Sequence, residues 1–397
     1  MQHILEPQSE QLSQWLSEHG QPKFRAAQVR KWLFEKRAAD FAAMSDLGKR
    51  LREELARDFQ FWTTSIARHE KAEDGTEKLL LQLNAANIAL RGRESLLPPT
   101  SGEATSTDGA QKRLPIPSVQ PSSMQRIECV LLRDGLRRTI CISSQVGCAM
   151  GCVFCASGLD GVERNLTSGE IVEQMLRLQH LLPAEERLSH IVVMGMGEPL
   201  ANLDRLLPAL EMASREDGLG ISARRITIST VGLPESIHRL ADLNCRYHLA
   251  VSLHAPDDEL RNGLVPVNKN IGLNEILEAA DRYFEVSGRR LTYEYVLLAG
   301  VNDSPEHADR LAKLLRGRPA LINVIPYNPV AGLPYQTPST TAISRFREVL
   351  ERAGLTIKFR QRKGDKINAA CGQLRRSTPA RGQGSVVRVQ DFKQTVD

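Results

Sequence analysis

The sequence predicts an α/β fold: a partial (β/α)6-type TIM barrel with a small N-terminal helical domain. Three observations carry this. Short β-rich apolar runs recur from about residue 139: TICIS, HIVVMGMG, RRITIST, HLAVSLH, LTYEYVLL, LINVIPY and IKFRQR. Helical patterns with start signals lie between them, and such alternation makes βα units around a parallel sheet. The unusual motifs follow strand runs, at the strand ends where barrels of this kind hold their chemistry.

The first 70 residues read as helical. Leu12, Trp15 and Leu16 recur at helical spacing, as do Val29, Trp32 and Leu33. Residues 71–138 read as a β linker. DGTEKLLLQL, from Asp74, gives a turn and a strand, and the next strand begins near Gln125. Between these paired strands, residues 94–123 are rich in Pro, Ser, Thr and Gly, and too poor in large apolar side chains to offset their ordering entropy. They read as a disordered insertion. The barrel occupies 139–376. Within it, Thr167-x-x-Glu170 is a capping box, and Ser304-Pro305 places an N-cap before a proline at the first helical position. Residues 377–397 form a basic tail.

Hydrophobic content of 41% and charged content of 25% fit a globular protein with a full core. No apolar run reaches the ~18 residues that span a bilayer, and MQHILEPQSEQ lacks a signal-peptide pattern. Seven cysteines, three of them crowded, suit a reducing compartment, so a cytoplasmic protein with no membrane partner is expected. Net charge is +5, yet Lys358 to Lys393 holds ten Lys or Arg against two Asp, a net +8. That concentration suits a phosphate backbone, although a solvated tail accounts for the charge equally well.

The densest chemical signal is Cys148-x-x-x-Cys152-x-x-Cys155. A structural zinc site wants four closed ligands. An iron–sulfur cluster held by three thiolates keeps one iron open to a small molecule. Cys129, Cys141, Cys245 and Cys371 lie too far away for a second tight knuckle. In Met194-Gly195-Met196-Gly197-Glu198-Pro199, the glycines allow close approach of a ligand to backbone, and a carboxylate follows that can hold an ammonium group. Ser229, Ser252, His254 and Asn328 stand at neighbouring strand ends, where together they make a polar pocket. Cys371, beside Gly372, is either a mobile thiol or a small buried side chain, and Cys141 is either cavity-facing or buried.

The motifs CISSQVGC, MGMGEPLANL, SLHAP, VPVNK, INVIPYNP and AACGQL, with KFRAAQV near the N-terminus, closely resemble the RlmN/Cfr family of radical S-adenosylmethionine (SAM) RNA adenosine methyltransferases. The resemblance covers nearly the whole chain apart from 94–123 and the last ~20 residues. It implies a radical SAM core in which Cys148, Cys152 and Cys155 hold a 4Fe–4S cluster. S-adenosylmethionine, two per turnover, would be contacted by Gly197, Glu198, Ser229, Ser252, Leu253, His254 and Asn328. Cys371 would be the methyl-carrying cysteine, Cys141 its resolving partner in a transient disulfide, and Glu128 the proton acceptor. The implied product is adenosine methylated on a ring carbon, C2 ahead of C8, in ribosomal or transfer RNA. The implied partners are that RNA and an electron donor such as flavodoxin or ferredoxin, with the enzyme a monomer.

Two departures mark the chain as a diverged RlmN-like paralogue. CASGLDG follows the cluster where the family has CSTAxQG, and GDKIN precedes Cys371 where an acidic GDDID is expected. Two other readings stay open at this stage: a radical enzyme with another substrate, and a non-catalytic RNA-binding protein with zinc at the three cysteines.

Overall fold

The computed structural model describes residues 1–6, 10–84, 125–159, 161–360, 364 and 367–374. The 94–123 insertion and the basic tail at 377–397 lie outside the described residues, as do parts of the two departing motifs.

The chain begins with a two-residue strand, β1 (Gln2–His3), then α1 (Glu10–Glu18), α2 (Phe24–Arg30), a π-helical stretch Lys31–Glu35, and α3 (Lys49–Asp58). Strand β2 (Phe59–Gln60) pairs in parallel with β1, a pairing that helical periodicity does not reveal. Leu12, Leu16, Val29, Leu33, Leu51 and Leu55 are all buried, in one apolar cluster continuous with the core beneath the main sheet. Burial of this kind stabilises by roughly 25 cal/mol per Å². Glu173 fixes the junction: its carboxylate accepts from the backbone N–H and hydroxyl of both Thr63 and Thr64 at 2.6–3.0 Å.

Then come β3 (Thr64–Lys71), β4 (Glu77–Leu83), β5 (Arg126–Asp134) and β6 (Arg137–Cys141), an antiparallel series. Strands β4 and β5 flank the insertion and pair, as expected. Strand β3 is a correction to the reading, which placed the first strand after Asp74. It is a sheet edge whose side chains are mostly exposed, so TSIARHEK carries little of the apolar alternation that announces a strand.

A small hairpin follows, β7 (Gln145–Gly147) with β8 (Val162–Asn165). The chain then alternates: α4 (Ser168–Gln179), β9 (His190–Val193), α5 (Leu203–Ser214), β10 (Ile226–Thr230), α6 (Pro234–Asp242), β11 (His248–Ser252), α7 (Asp258–Leu264), α8 (Leu273–Ser287), β12 (Leu291–Leu297), α9 (Pro305–Leu314), β13 (Ala320–Pro326), α10 (Thr340–Arg352) and β14 (Thr356–Phe359). The ten-stranded sheet runs β14-β13-β12-β11-β10-β9-β6-β5-β4-β3. From β6 to β14 every neighbouring pair is parallel, so six βα crossovers make the expected partial barrel, extended by three antiparallel strands. Both predicted caps are present. Thr167 and Glu170 form the reciprocal capping box, and Ser304 caps α9 ahead of Pro305. His307 takes the carboxylate's place in a box at α9 that the sequence did not announce.

Candidate active site

The C-terminal ends of the parallel strands enclose a solvent-open cavity. Cys148, Cys152 and Cys155 line it, together with Gly197, Glu198, Ser229, Ser252, His254, Asn328 and Cys371. Leu253, Cys141 and Glu128 do not. The Leu253 side chain is fully buried and its carbonyl accepts from Arg261 Nε at 3.0 Å, so only its neighbours reach the cavity.

The cysteine loop is held at both ends. Cys148 N–H donates to the Gly161 carbonyl at 2.9 Å, across the β7–β8 hairpin, and Val153 N–H to the Leu264 carbonyl at 3.1 Å. Beyond Cys155, Ala156 N–H donates to the Gly372 carbonyl at 2.8 Å, and Ser157 Oγ to the Leu374 carbonyl at 2.7 Å. The loop is thereby fastened to the segment that carries Cys371. Burial raises all three thiols, Cys152 to about 12. A bound metal centre reverses that preference and favours the thiolates.

The two glycines of MGMGEP line the cavity and also permit close packing of backbone. A Cβ on Gly195 would meet the Ile142 carbonyl oxygen at 2.6 Å, and one on Gly197, where φ is +102°, would meet Gln145 Cβ at 2.6 Å. They let two strand ends cross closely. Glu198 is buried with both carboxylate oxygens on backbone: Oε1 accepts from Leu200 N–H at 3.0 Å, Oε2 from Val231 N–H at 2.9 Å. Burial lifts its carboxyl to about 7, against these hydrogen bonds. An ammonium group at this carboxylate would return it to the ionised form.

His254 sits at φ +61°, stacked edge-on against Phe154 with ring centroids 4.9 Å apart. Its Nδ1 accepts from Val296 N–H at 3.1 Å, so the neutral ring carries its proton on Nε2. Burial, with Arg261 nearby, depresses it to about 3. Asn328 donates to the Cys371 carbonyl at 3.3 Å, and its buried Oδ1 has no partner. An orphaned acceptor inside a cavity fits a ligand donor.

Several functional residues escaped the sequence reading. Arg261 is fully buried behind the lining residues and gathers the carbonyls of Val231, Ser252 and Leu253, with Asn268. Glu294 and Arg360 also line the cavity. Glu294 is lifted to about 7 by burial, opposed by Arg360 and by the hydrogen bond from Asn323 at 2.7 Å. The Arg360 guanidinium is held above its usual value chiefly by Cys371. Isolated charged residues at strand ends carry no periodic or spacing signal.

Behind the cavity, register places Glu128 and Val130 of β5 on one sheet face with Lys78 of β4 and Cys141 of β6. Cys129 points to the other face and is fully buried, as expected of a core thiol. Burial, then Cys371, raises Cys141 to about 12.

The donor set fits its cofactors. Three thiols line one cavity together with polar strand-end side chains and an unpartnered amide oxygen, and a cluster held by three thiolates would keep one iron open to a ligand. Among the described residues no trio of His, Cys, Asp or Glu is arranged around a single ion, whereas a cubane takes each thiolate on a separate iron. This is the architecture of a radical SAM enzyme, with a 4Fe–4S cluster and S-adenosylmethionine as cofactors. Residues 142–312 match the model of the radical SAM superfamily, and residues 2–60 that of the ribosomal RNA large subunit methyltransferase N-terminal domain.

The chain is 59% identical to a probable dual-specificity RNA methyltransferase RlmN of Rhodopirellula baltica, over 94% of this chain and 91% of that protein. It is 41% identical to the counterpart in Symbiobacterium thermophilum, over 94% and 91%. A crystal structure of a radical SAM methyltransferase from Sphaerobacter thermophilus superposes with a TM-score of 0.82 at 37% identity, covering 94% of this chain and 99% of that one. The chain belongs to the RlmN family of RNA methyltransferases.

Proposed function

We propose that this enzyme methylates a ring carbon of adenosine, C2 ahead of C8, in ribosomal or transfer RNA by way of a methyl group carried on Cys371. The RNA substrate rests on what the relatives' names state, and the preference for C2 rests on the resemblance of the motifs alone. The observation that supports the relay is the position of Cys371. It lines the cavity of the three cluster cysteines, and its own segment is bonded to their loop through Gly372 and Leu374.

When bound, the cluster and S-adenosylmethionine supply one electron at low potential, the methyl group and the hydrogen-abstracting radical. The protein's residues do the rest. An adenine ring carbon is not nucleophilic, so the Cys371 sulfur takes the methyl first. Once that carbon, short of one hydrogen, is bonded to the ring, Glu128 accepts the displaced ring proton, and the one unpaired electron left on the adduct would return to the cluster that supplied one. Cys141 sulfur then attacks Cys371 sulfur. An S–S bond forms, the S–C bond breaks, and the freed carbon gains a proton as the methyl group of the product. Cys141 must first lose its own proton, which burial disfavours and the neighbouring Arg360 favours.

Gly197, Glu198, Ser229, Ser252, His254 and Asn328 would hold S-adenosylmethionine, Glu198 by its ammonium group and Asn328 Oδ1 by a donor. The target base must leave its stack to reach the cavity. Residues 1–70 and the basic tail at 377–397 would contact RNA, with 139–376 as the catalytic unit and 71–138 joining them. The protein would act as a cytoplasmic monomer reduced by a flavodoxin or ferredoxin. Among the described residues no helix is long and apolar enough to cross a membrane.

Nucleoside mass spectrometry tests this. Holoenzyme, reductant, S-adenosylmethionine and unmodified bulk RNA should yield 2-methyladenosine after digestion. Only 8-methyladenosine would reverse the choice of carbon, and deoxyadenosine release without any methylated nucleoside would remove RNA as the substrate.

A further inference from the structure

Lys78 lies in β4 and is 5% exposed. Its ammonium group has three acceptors, one for each hydrogen: Glu128 Oε1 at 2.9 Å, Glu70 Oε2 at 3.2 Å and the Asn368 carbonyl at 3.3 Å. Register explains the carboxylates. Glu70 is directly opposite Lys78, and Glu128 is its diagonal neighbour on the same face. The third acceptor belongs to the segment that leads to Cys371. That segment is docked on the β3–β4 turn by two further contacts. Gly364 N–H donates to Asp74 Oδ2 at 3.0 Å, and a Cβ at Gly364, where φ is +69°, would fall 2.9 Å from Thr76 Cγ2. Asn368 itself sits at φ +50°, a conformation asparagine tolerates.

We propose that Lys78 is a positioning residue for ring-proton removal: it holds Glu128 as a carboxylate and fastens the Cys371-bearing segment beside it. This rests on the reading of Glu128 as the proton acceptor. A base must be ionised to accept, and Glu128 is a buried carboxylate that needs a counter-charge to remain so. Among the described residues, register sets around it Lys78 on β4, Glu70 and Arg68 on β3, Arg126 on β5, Cys141 on β6 and, across the sheet, Cys129. Lys78 is a cation in contact with its carboxylate at 2.9 Å, while Arg68 lies 3.8 Å from Glu70. Without it, Glu128 would lose a buried counter-charge at 2.9 Å, which favours its protonated form. The carbonyl contact adds the second duty. Asn368 stands three residues before Cys371, so one side chain sets the base and the methyl carrier in register.

The full-length holoenzyme with Cys371 already methylated is the material for the test. Product release is followed against pH, with the covalent protein–RNA species measured on gels. In Lys78→Met the acidic limb should move to higher pH by about one unit, equivalent to roughly tenfold slower release at a pH on that limb. The protein–RNA species should accumulate at neutral pH and clear at higher pH, while deoxyadenosine forms at the normal rate. Lys78→Arg, which retains the charge, should restore most of the profile.

Glu70→Gln gives a second reading that does not depend on the methionine variant folding. It removes the carboxylate that competes with Glu128 for Lys78 and should move the limb to lower pH. A uniform loss of rate with an unmoved limb in Lys78→Met, or an unmoved limb in Glu70→Gln, overturns the proposal. Glu128→Gln separates the two levels. If it releases product at full rate, the reading of Glu128 itself fails. If it is impaired while Lys78→Met is normal, only the role of Lys78 fails.

Discussion

Single residues in this cavity are held in protonation states that water would not give them. His254 is the sharpest case. Its folded value of about 3 lies below its ordinary 6.5, so between those limits the unfolded chain binds a proton that the folded chain refuses. Its contribution to stability is therefore complete above pH 6.5 and is lost as pH falls toward 3. At about 1.4 kcal/mol per unit the loss is on the order of 5 kcal/mol. Denaturant titrations of the apo chain at pH 7 and pH 4 should show it. His254→Asn, which keeps a side chain suited to positive φ, should flatten that difference. Glu198 and Glu294 act with the opposite sign. Each is raised from 4.5 to about 7, so the stability they add below pH 4.5 is lost as pH climbs through 7.

The cluster cysteines give a second prediction at this scale. As buried neutral thiols they must release protons to become ligands, so iron uptake during anaerobic reconstitution should weaken as pH is lowered. Much of this residue scale was legible. The spacing of Cys148, Cys152 and Cys155 and the strand-end positions of Ser229, Ser252, His254 and Asn328 sufficed to bring them to one cavity. Lys78, Arg261, Glu294 and Arg360 were not legible, because each is defined by partners distant in the chain.

At the scale of elements, strand ends and the side chains that tie them shape the cavity. Gly197 lets the end of β9 pass over Gln145, at a positive φ that alanine adopts only under strain. Gly197→Ala should cost about 2–3 kcal/mol and lower the melting temperature of the apo chain. Arg261 binds the loops after β10 and β11 through carbonyls of Val231, Ser252 and Leu253. Arg261→Lys keeps the charge but loses the planar fork, so it should weaken S-adenosylmethionine binding at least tenfold, measurable by equilibrium dialysis with holoenzyme.

The seven parallel strands were readable because each is a short apolar run with a helix pattern behind it. Strand β3 was not, since an exposed edge needs no buried face. The pairing of β1 with β2 was hidden as well, at two residues each.

For the molecule as a whole, the sheet divides the labour. Its parallel part presents the three-cysteine loop and the cavity, while Lys78 and Glu128 stand on the antiparallel strands β4 and β5 and Cys141 on β6, where the two parts join. The segment from Gly364 to Leu374 crosses between them. It is bonded to the β3–β4 turn at one end and to the cluster loop at the other, with Cys371 between. That crossing could not be read from sequence, where Cys371 is remote from every other cysteine. The central claim is that this thiol carries the methyl group. The most direct measurement is mass spectrometry of the Cys371 peptide from holoenzyme given S-adenosylmethionine without RNA. A methylated Cys371 is predicted, with the cluster cysteines unmodified; an unmodified Cys371 in enzyme that goes on to methylate RNA at full rate would contradict the account.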